Sequence, residues 1–279
     1  MKAADLIQEL PKIDTFKRYG KVTRVVGLMI ESQGPKCSIN DVCKIHVQTK
    51  KGPQVILAEV VGFNGEFVIL MPFTSVRDIS IGCLVEGTGH PLEVKVGPEL
   101  IGKVLDSLGN PFDGSSLPRG LVSVPTENDP PNPLSRPPIN DQLEVGVKAI
   151  DAMLTVGSGQ RVGIFAGSGV GKSTVLGMIA RNTRADLNVI ALIGERGREV
   201  REFIERDLGE EGLKRSIVVA ATGDQPALMR IKGAFTATAI AEYFRERGLN
   251  VMLMMDSVTR VAMAQREIGL ATSEPPAQK

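Results

Sequence analysis

Between residues 166 and 174 the chain reads Ala166-Gly-Ser-Gly-Val-Gly-Lys-Ser-Thr174. Glycines at 167, 169 and 171 allow a tight turn whose backbone N–H groups converge. A helix starting there adds its unpaired N–H groups and the positive end of its dipole. Such a turn cradles phosphate. Gly167, Ser168, Gly169, Val170 and Gly171 would line it, with Thr174 in the first helical turn. Lys172 would reach the β- and γ-phosphates of a bound triphosphate, and the Ser173 hydroxyl would ligate Mg²⁺. The strict pattern begins with glycine where this chain has Ala166; alanine is small enough to keep the turn while φ stays negative.

Hydrolysis of a phosphoanhydride also needs carboxylates. The apolar run 251–255 is closed by Asp256, the form expected of the acid that orders Mg²⁺, directly or through its water. Gly194-Glu-Arg-Gly-Arg-Glu199 follows another apolar run. Glu195, at that run's end, is the candidate for polarising the attacking water; the alternative is a surface salt bridge with a nearby arginine. Glu199, one helical turn on, can join the metal's water network. Arg196 and Arg260 either stabilise charge on the γ-phosphate or brace the helices, and spacing does not choose between the two.

The elements that must position these groups alternate. The apolar run 162–165 predicts a buried strand feeding the glycine loop, with a helix over 172–183. Strands over 189–193, 217–220 and 251–255 are separated by helices over 199–208 and 226–247, and a helix over 258–267 follows. Asp224 can cap the long helix, Pro226 suits its first turn, and Leu228, Ile231 and Phe235 give it an apolar face. Strands joined by crossover helices imply a parallel sheet with its ligand at the carboxyl ends of the strands.

Residues 20–89 read differently, as short β-rich runs over 22–30, 42–47, 55–61, 67–71 and 84–86. Lys50-Lys51-Gly52 and Asn64-Gly65 mark hairpins, and the spacing suggests a small closed barrel. Phe63, Phe67 and Phe73 sit among apolar neighbours and there is no tryptophan. Core packing is therefore expected of them rather than base stacking. A formal net charge of +1 supplies no general pull toward nucleic acid or acidic membrane. Cys37, Cys43 and Cys83 lack metal-ligand spacing and are expected to be reduced, buried thiols, and His46 and His90 stand alone. The opening lacks an apolar leader and no run is long enough to span a membrane, so a cytoplasmic protein is expected. Six prolines between 125 and 138 predict an extended, semi-rigid strap. The expected division is an N-terminal arm (1–18), a β-barrel (19–90), a connector with the strap (91–140) and a nucleotide domain (141–279).

The glycine loop, Gly194-Glu-Arg-Gly-Arg-Glu-Val-Arg-Glu-Phe203, Asp224-Gln-Pro-Ala227 and the stretch from Met255 to Gly269 together resemble the flagellar and type III secretion ATPases. These are relatives of the catalytic subunit of rotary ATP synthases. The similarity runs from about Tyr19 onward, with the flagellar branch the nearer, and Ala166 is that family's usual residue. The resemblance implies an α/β fold with an N-terminal barrel and a RecA-like P-loop core. It implies a homohexameric ring at the inner-membrane export apparatus that hydrolyses ATP to assist protein export, without nucleic acid. It assigns Lys172, Ser173, Glu195, Arg196, Asp256 and Arg260 the roles above. As partners it implies a regulatory stator-like protein on the arm, a central stalk protein, the export gate and chaperone-bound cargo. A rotary synthase subunit and an RNA-translocating termination-factor type are the alternative enzymes, and a non-catalytic nucleotide-binding module is a third. Family members continue beyond the point matching Lys279 with an adenine contact and an arginine supplied across the interface. The chain is thus expected to be a piece of a longer protein. A trans arginine contributes about 10³ or more in rate, so the piece alone is expected to hydrolyse poorly.

Overall fold

The computed structural model describes residues 16–167, 169–272 and 274–275. All but the last three residues of the expected arm lie outside that range. The chain divides into two compact units, Met1–Pro91 and Leu92–Lys279.

In the first unit, β1 (Arg18–Val26), β2 (Met29–Gln33), β3 (Asp41–Thr49), β4 (Gly52–Asn64), β5 (Phe67–Pro72) and β6 (Leu84–Pro91) close into a barrel. Its order is β1-β2-β5-β4-β3-β6, and every neighbouring pair is antiparallel. Alternate residues point inward, so Val22, Ile30, Ile45, Ala58, Leu70 and Val85 share one core. Both hairpin signals fall at turns, Thr49 opposite Gly52 and Asn64 opposite Phe67. The single strand expected over 22–30 is two, because Gly27 at φ 58° reverses the chain and sets Val26 opposite Met29. Of the three phenylalanines assigned to the core only Phe73 is there; Phe63 and Phe67 are exposed. They flank the Asn64-Gly65 turn at the end of the β4–β5 ladder. Gly52 to Pro72 contains Glu59 and Glu66 and neither lysine nor arginine, so this hairpin brings no cations of its own beside the two rings. Cys43 is buried, Cys37 and Cys83 are half-buried, and all three are free thiols.

The second unit opens with β7 (Glu93–Val96), β8 (Val104–Leu105) and β9 (Val122–Pro125), and β7 pairs with β9 as a two-stranded ribbon. Then come helix α1 (Lys148–Met153), α2 (Lys172–Asn182), β10 (Leu187–Ile193), α3 (Gly197–Glu202), a π-helical turn (Phe203–Leu208) and α4 (Gly209–Leu213). They are followed by β11 (Ser216–Ala221), α5 (Ala227–Arg245), β12 (Val251–Asp256) and α6 (Val258–Ala271). The main sheet runs β12-β10-β11-β8 with every pair parallel.

Strands buried on both faces explain the unbroken apolar runs. Val189, Ala191, Ile193, Val219 and Ala221 pack on one side with Ile240 and Phe244 of α5. Ile190, Leu192, Val218 and Met254 pack on the other with Leu176 and Ile179 of α2 and with Phe203 and Leu208. The stretch read as a connector thus lends β8 to the nucleotide sheet. The proline-rich strap is mostly irregular and exposed, with one 3₁₀ turn, Pro133–Ser135. It is held to α5 where Glu127 pairs with the buried Lys232 at 2.5 Å and Asn128 donates to Glu242 at 3.0 Å.

Two local expectations are corrected. Asp224 does not cap α5: Pro226 is the N-cap, without a side-chain cap, and a hydrogen bond with Thr222 holds the Asp224 carboxyl below its ordinary range. The run 162–165 is not a buried strand. It carries no ladder, Phe165 is 97% exposed, and β12, beside which a further parallel strand would fit, is the edge of the sheet. Apolar sequence alone does not make a strand; a partner must take its backbone groups.

Candidate active site

Three parallel strands end side by side, and the groups singled out in the sequence lie at those ends. Leu192 is in register with Asp256, and Ile193 with Ala221. Past the ladder, Gly194 N–H donates to Ala221 O at 2.6 Å and Gly223 N–H to Glu195 O at 3.0 Å. Gly194 has φ +75°, and a Cβ there would lie 2.8 Å from Cβ of Arg260. Only glycine allows both the left-handed turn and the arginine stem lying against it.

The glycine loop leads into α2. Gly171, at φ 96°, is its N-cap, and no side chain caps the helix. Around Gly167, Gly169 and Gly171 the space a Cβ would enter is open. An open, side-chain-free turn at an uncapped helix start suits a phosphate approached by backbone N–H groups. Val170 and Thr174 are exposed beside it, and Ser168 lies outside the described residues.

Lys172 Nζ donates to Asp256 Oδ1 at 2.5 Å, and Asp256 is only 4% exposed. Asp256 in turn lines a small cleft of about 60 Å³ with Ser173, Glu195 and Glu199, and Leu192, Val200 and Phe203 form its apolar wall. Glu195 is held above the ordinary carboxylate range, chiefly by burial, then by its hydrogen bond with Glu199 and the charge of Asp256; Arg260 and Lys172 oppose this. Glu199 is pushed the other way, first because it accepts from the Arg196 backbone N–H, then by Glu195 and the charges of Arg196 and Arg198. Adjacent carboxyls whose environments drive them apart mark a protonation pair.

The two arginines separate. Arg196 is exposed and its guanidinium donates to Glu199 at 3.1 Å, a bracing contact at the start of α3. Arg260, also exposed, lies over Gly194 and acts electrostatically on Glu195. Sequence reading missed the wall formed by Leu192, Val200 and Phe203. The signal was present: Val200 and Phe203 follow Glu199 at one and four residues, on the inner side of one helical turn.

The donors around the cleft are a hydroxyl and carboxylates, hard oxygens that fit Mg²⁺ rather than a soft metal. Among the described residues no cluster of three or more His, Cys, Asp or Glu is placed to hold a metal unaided. That suits an ion that arrives with phosphate and keeps water ligands.

A closed barrel, a parallel sheet with helices on both faces and a glycine loop facing two strand-end acids define a P-loop nucleotide-binding protein of the RecA-like class. The chain belongs to the ATP synthase alpha/beta family: residues 146–279 match its nucleotide-binding domain and residues 22–89 its beta-barrel domain. It is 65% identical over 279 residues to the flagellum-specific ATP synthase of Bacillus subtilis (strain 168), covering 100% of this chain and 64% of that protein. It is 50% identical over 274 residues to the type 3 secretion system ATPase of Xanthomonas euvesicatoria, covering 98% and 62%. Among solved structures, the assembled ATPase EscN in complex with its central stalk EscO, from the enteropathogenic E. coli type III secretion system, is similar with a TM-score of 0.84. Identity there is 44%, over 93% of this chain and 63% of that one. The chain therefore spans a little under two thirds of the length of these relatives.

Proposed function

We propose that this chain is the barrel and nucleotide-binding portion of an ATPase that hydrolyses ATP to assist flagellar or type III protein export. The observation that carries the reading is the meeting of Ser173, Asp256, Glu195 and Glu199 around one cleft at the carboxyl edge of a parallel sheet, with Lys172 bonded to Asp256 beside an uncapped helix start.

In this reading the loop N–H groups of residues 167–174 hold the triphosphate and Lys172 turns from Asp256 to its β- and γ-phosphates. Ser173 and Asp256 would hold Mg²⁺, with Glu199 acting through water; the ion, when bound, offsets the phosphate charge. Glu195 orients water toward the γ-phosphorus and takes its proton as the bond to the ADP oxygen breaks. A carboxylate raised by burial is a better base near neutral pH than an exposed one. Arg260 steadies the charge around Glu195, and Arg196 acts through Glu199.

Assembly is part of the proposal. A homohexameric ring with a central stalk is supported by the similarity to assembled EscN bound to EscO. A regulatory stator-like partner on the arm, docking to the export gate, chaperone-bound cargo and a cytoplasmic location beside the inner membrane follow from the family resemblance. No helix among the described residues is long and apolar enough to cross a membrane.

The test is a pair of variants in the protein extended to its relatives' length. Lys172→Ala is expected to abolish Mg²⁺-dependent ATP binding, while Glu195→Gln keeps binding and loses turnover. Undiminished hydrolysis by Glu195→Gln would remove the assignment of the base.

A further inference from the structure

Away from the nucleotide cleft, the barrel unit has a second concavity of about 190 Å³, lined by Lys17, Arg18, Lys36, Lys44, Glu86 and His90 over a floor of Gly87, Thr88 and Gly89. Strand pairing brings most of the charge together. Arg18 lies opposite Gly87 in the β1–β6 ladder, and Lys44 opposite Glu86 in the β3–β6 ladder. Arg18 is itself engaged, and three lysines share the cleft with one carboxylate.

That carboxylate is already engaged. Glu86 Oε1 takes Lys17 Nζ at 3.0 Å and Oε2 meets His46 Nε2 at 3.0 Å. The Lys17 hydrogen bond foremost, then those of His46 and the charge of Lys44, hold its carboxyl below the ordinary range. Lys44, though opposite Glu86, has no ion pair within the described residues, and neither has Lys36. The floor carries little side chain: Gly89 is open where a Cβ would stand, and Gly87 packs its backbone against Pro35. A Cβ on Gly87 would come within 3.0 Å of Pro35, Gly89 has φ +78°, and the Thr88 hydroxyl is turned onto Val42 O at 2.6 Å. Positive charge in excess, converging on a hollow with the volume of ~6 waters, favours a compact anion carrying more than one charge and several acceptor oxygens.

We propose that this cleft binds a phosphate group, carried by a small soluble molecule or by a lipid headgroup. Lys36 and Lys44 are its main cations and the Gly87–Gly89 backbone is its floor. The site rests on none of the nucleotide-site residues, so either proposal can fail alone.

The test is titration of the ¹⁵N-labelled chain with inorganic pyrophosphate. Saturable amide shifts at Gly87, Thr88 and Gly89 are expected, fading as ionic strength rises past ~0.15 M. Lys36→Gln/Lys44→Gln should weaken them about tenfold while shifts at Gly169 and Gly171 persist, and Lys36→Arg/Lys44→Arg should retain them. Should the double glutamine variant fail to fold, Lys36→Gln alone, an exposed position, carries the comparison. A second arm sediments the chain with phosphatidylcholine vesicles with and without phosphatidylglycerol. Binding of anionic vesicles that depends on Lys36 and Lys44, with no pyrophosphate shifts, identifies the headgroup as source. Absence of both signals, or signals equal in the glutamine variant, overturns the site.

Discussion

Lys172 and Asp256, 84 residues apart in sequence, are joined by a 2.5 Å hydrogen bond between Nζ and Oδ1. The contact ties the start of α2 to the end of β12. In the proposed reading, the lysine that would meet phosphate is already neutralised by the acid that would order the metal. A ligand must therefore outcompete a carboxylate for it, which favours highly charged phosphate chains over singly charged anions.

Removing one partner leaves the other exposed to the full cost of burial. Lys172→Met, which strands a 4% exposed aspartate, should cost about 1–2 kcal/mol, less than a fully buried pair would because the lysine is partly solvated. Lys172→Met/Asp256→Leu should recover part of the loss. Thermal melts of the two single variants and the double variant measure the coupling; strict additivity would show that the pair contributes nothing to the fold.

Glu195→Gln should reduce turnover by about 10²–10⁴ and stabilise the fold at neutral pH. The sign follows from linkage. Burial raises the folded-state pKa of Glu195, so its favourable contribution is complete below the ordinary glutamate range and is lost as pH rises through the raised value. The amide removes that penalty and still donates a hydrogen bond to Glu199. The Tm advantage of the variant should therefore be largest at pH 7–8 and shrink toward pH 4. An advantage that grows on acidification would reverse the assignment.

Gly194→Ala should be costly in two ways, through its +75° φ and through the 2.8 Å approach of Arg260 Cβ. A loss of about 1–3 kcal/mol is expected. Turnover should fall with it, because the residue that moves carries Glu195 with it. Calorimetry and single-turnover hydrolysis in the extended protein check this, and a variant with unchanged melting would show that the turn is more pliable than the geometry indicates.

Burial pushes the Cys43 thiol up to about 12, and burial also raises Cys37 to a lesser degree. At pH 7.5 in the folded chain, Cys43 should resist iodoacetamide and become modified only on unfolding. Peptide mass spectrometry resolves the three cysteines, and rapid labelling of Cys43 in the native state would contradict its place in the barrel core.

Most of the framework was legible because burial leaves a periodic imprint. Leu187 to Ile193 is buried at every position, and the apolar run marked it as a two-sided strand; Glu195 and Asp256 stood out by the same logic, at the ends of such runs, while the glycine loop stood out by its composition. What escaped depends on partners that a local pattern does not contain. The run 162–165 has strand-forming residues and no neighbouring backbone. Phe63 and Phe67 have core-forming side chains at a turn, where nothing crosses over them. Arg196 and Arg260 have the same chemistry and similar distance from a strand end, yet one folds back on Glu199 and the other lies over Gly194, a difference set by side-chain direction. Gly27 splits a strand because of its dihedral, and a single glycine within an apolar run does not announce which φ it will take.

The unpaired rim of β12 bears on all of this. Like the teeth of a half-closed zip, its outward amides and carbonyls fix where a neighbouring strand can seat, and residues 162–165 lead directly into the phosphate loop. Were that segment to pair there, a slip of one residue would shift the chain entering the phosphate loop by ~3.3 Å and turn its apolar side chains to the opposite face. In the proposed reading, alignment along that one sheet margin would then matter as much as the composition of the glycine turn.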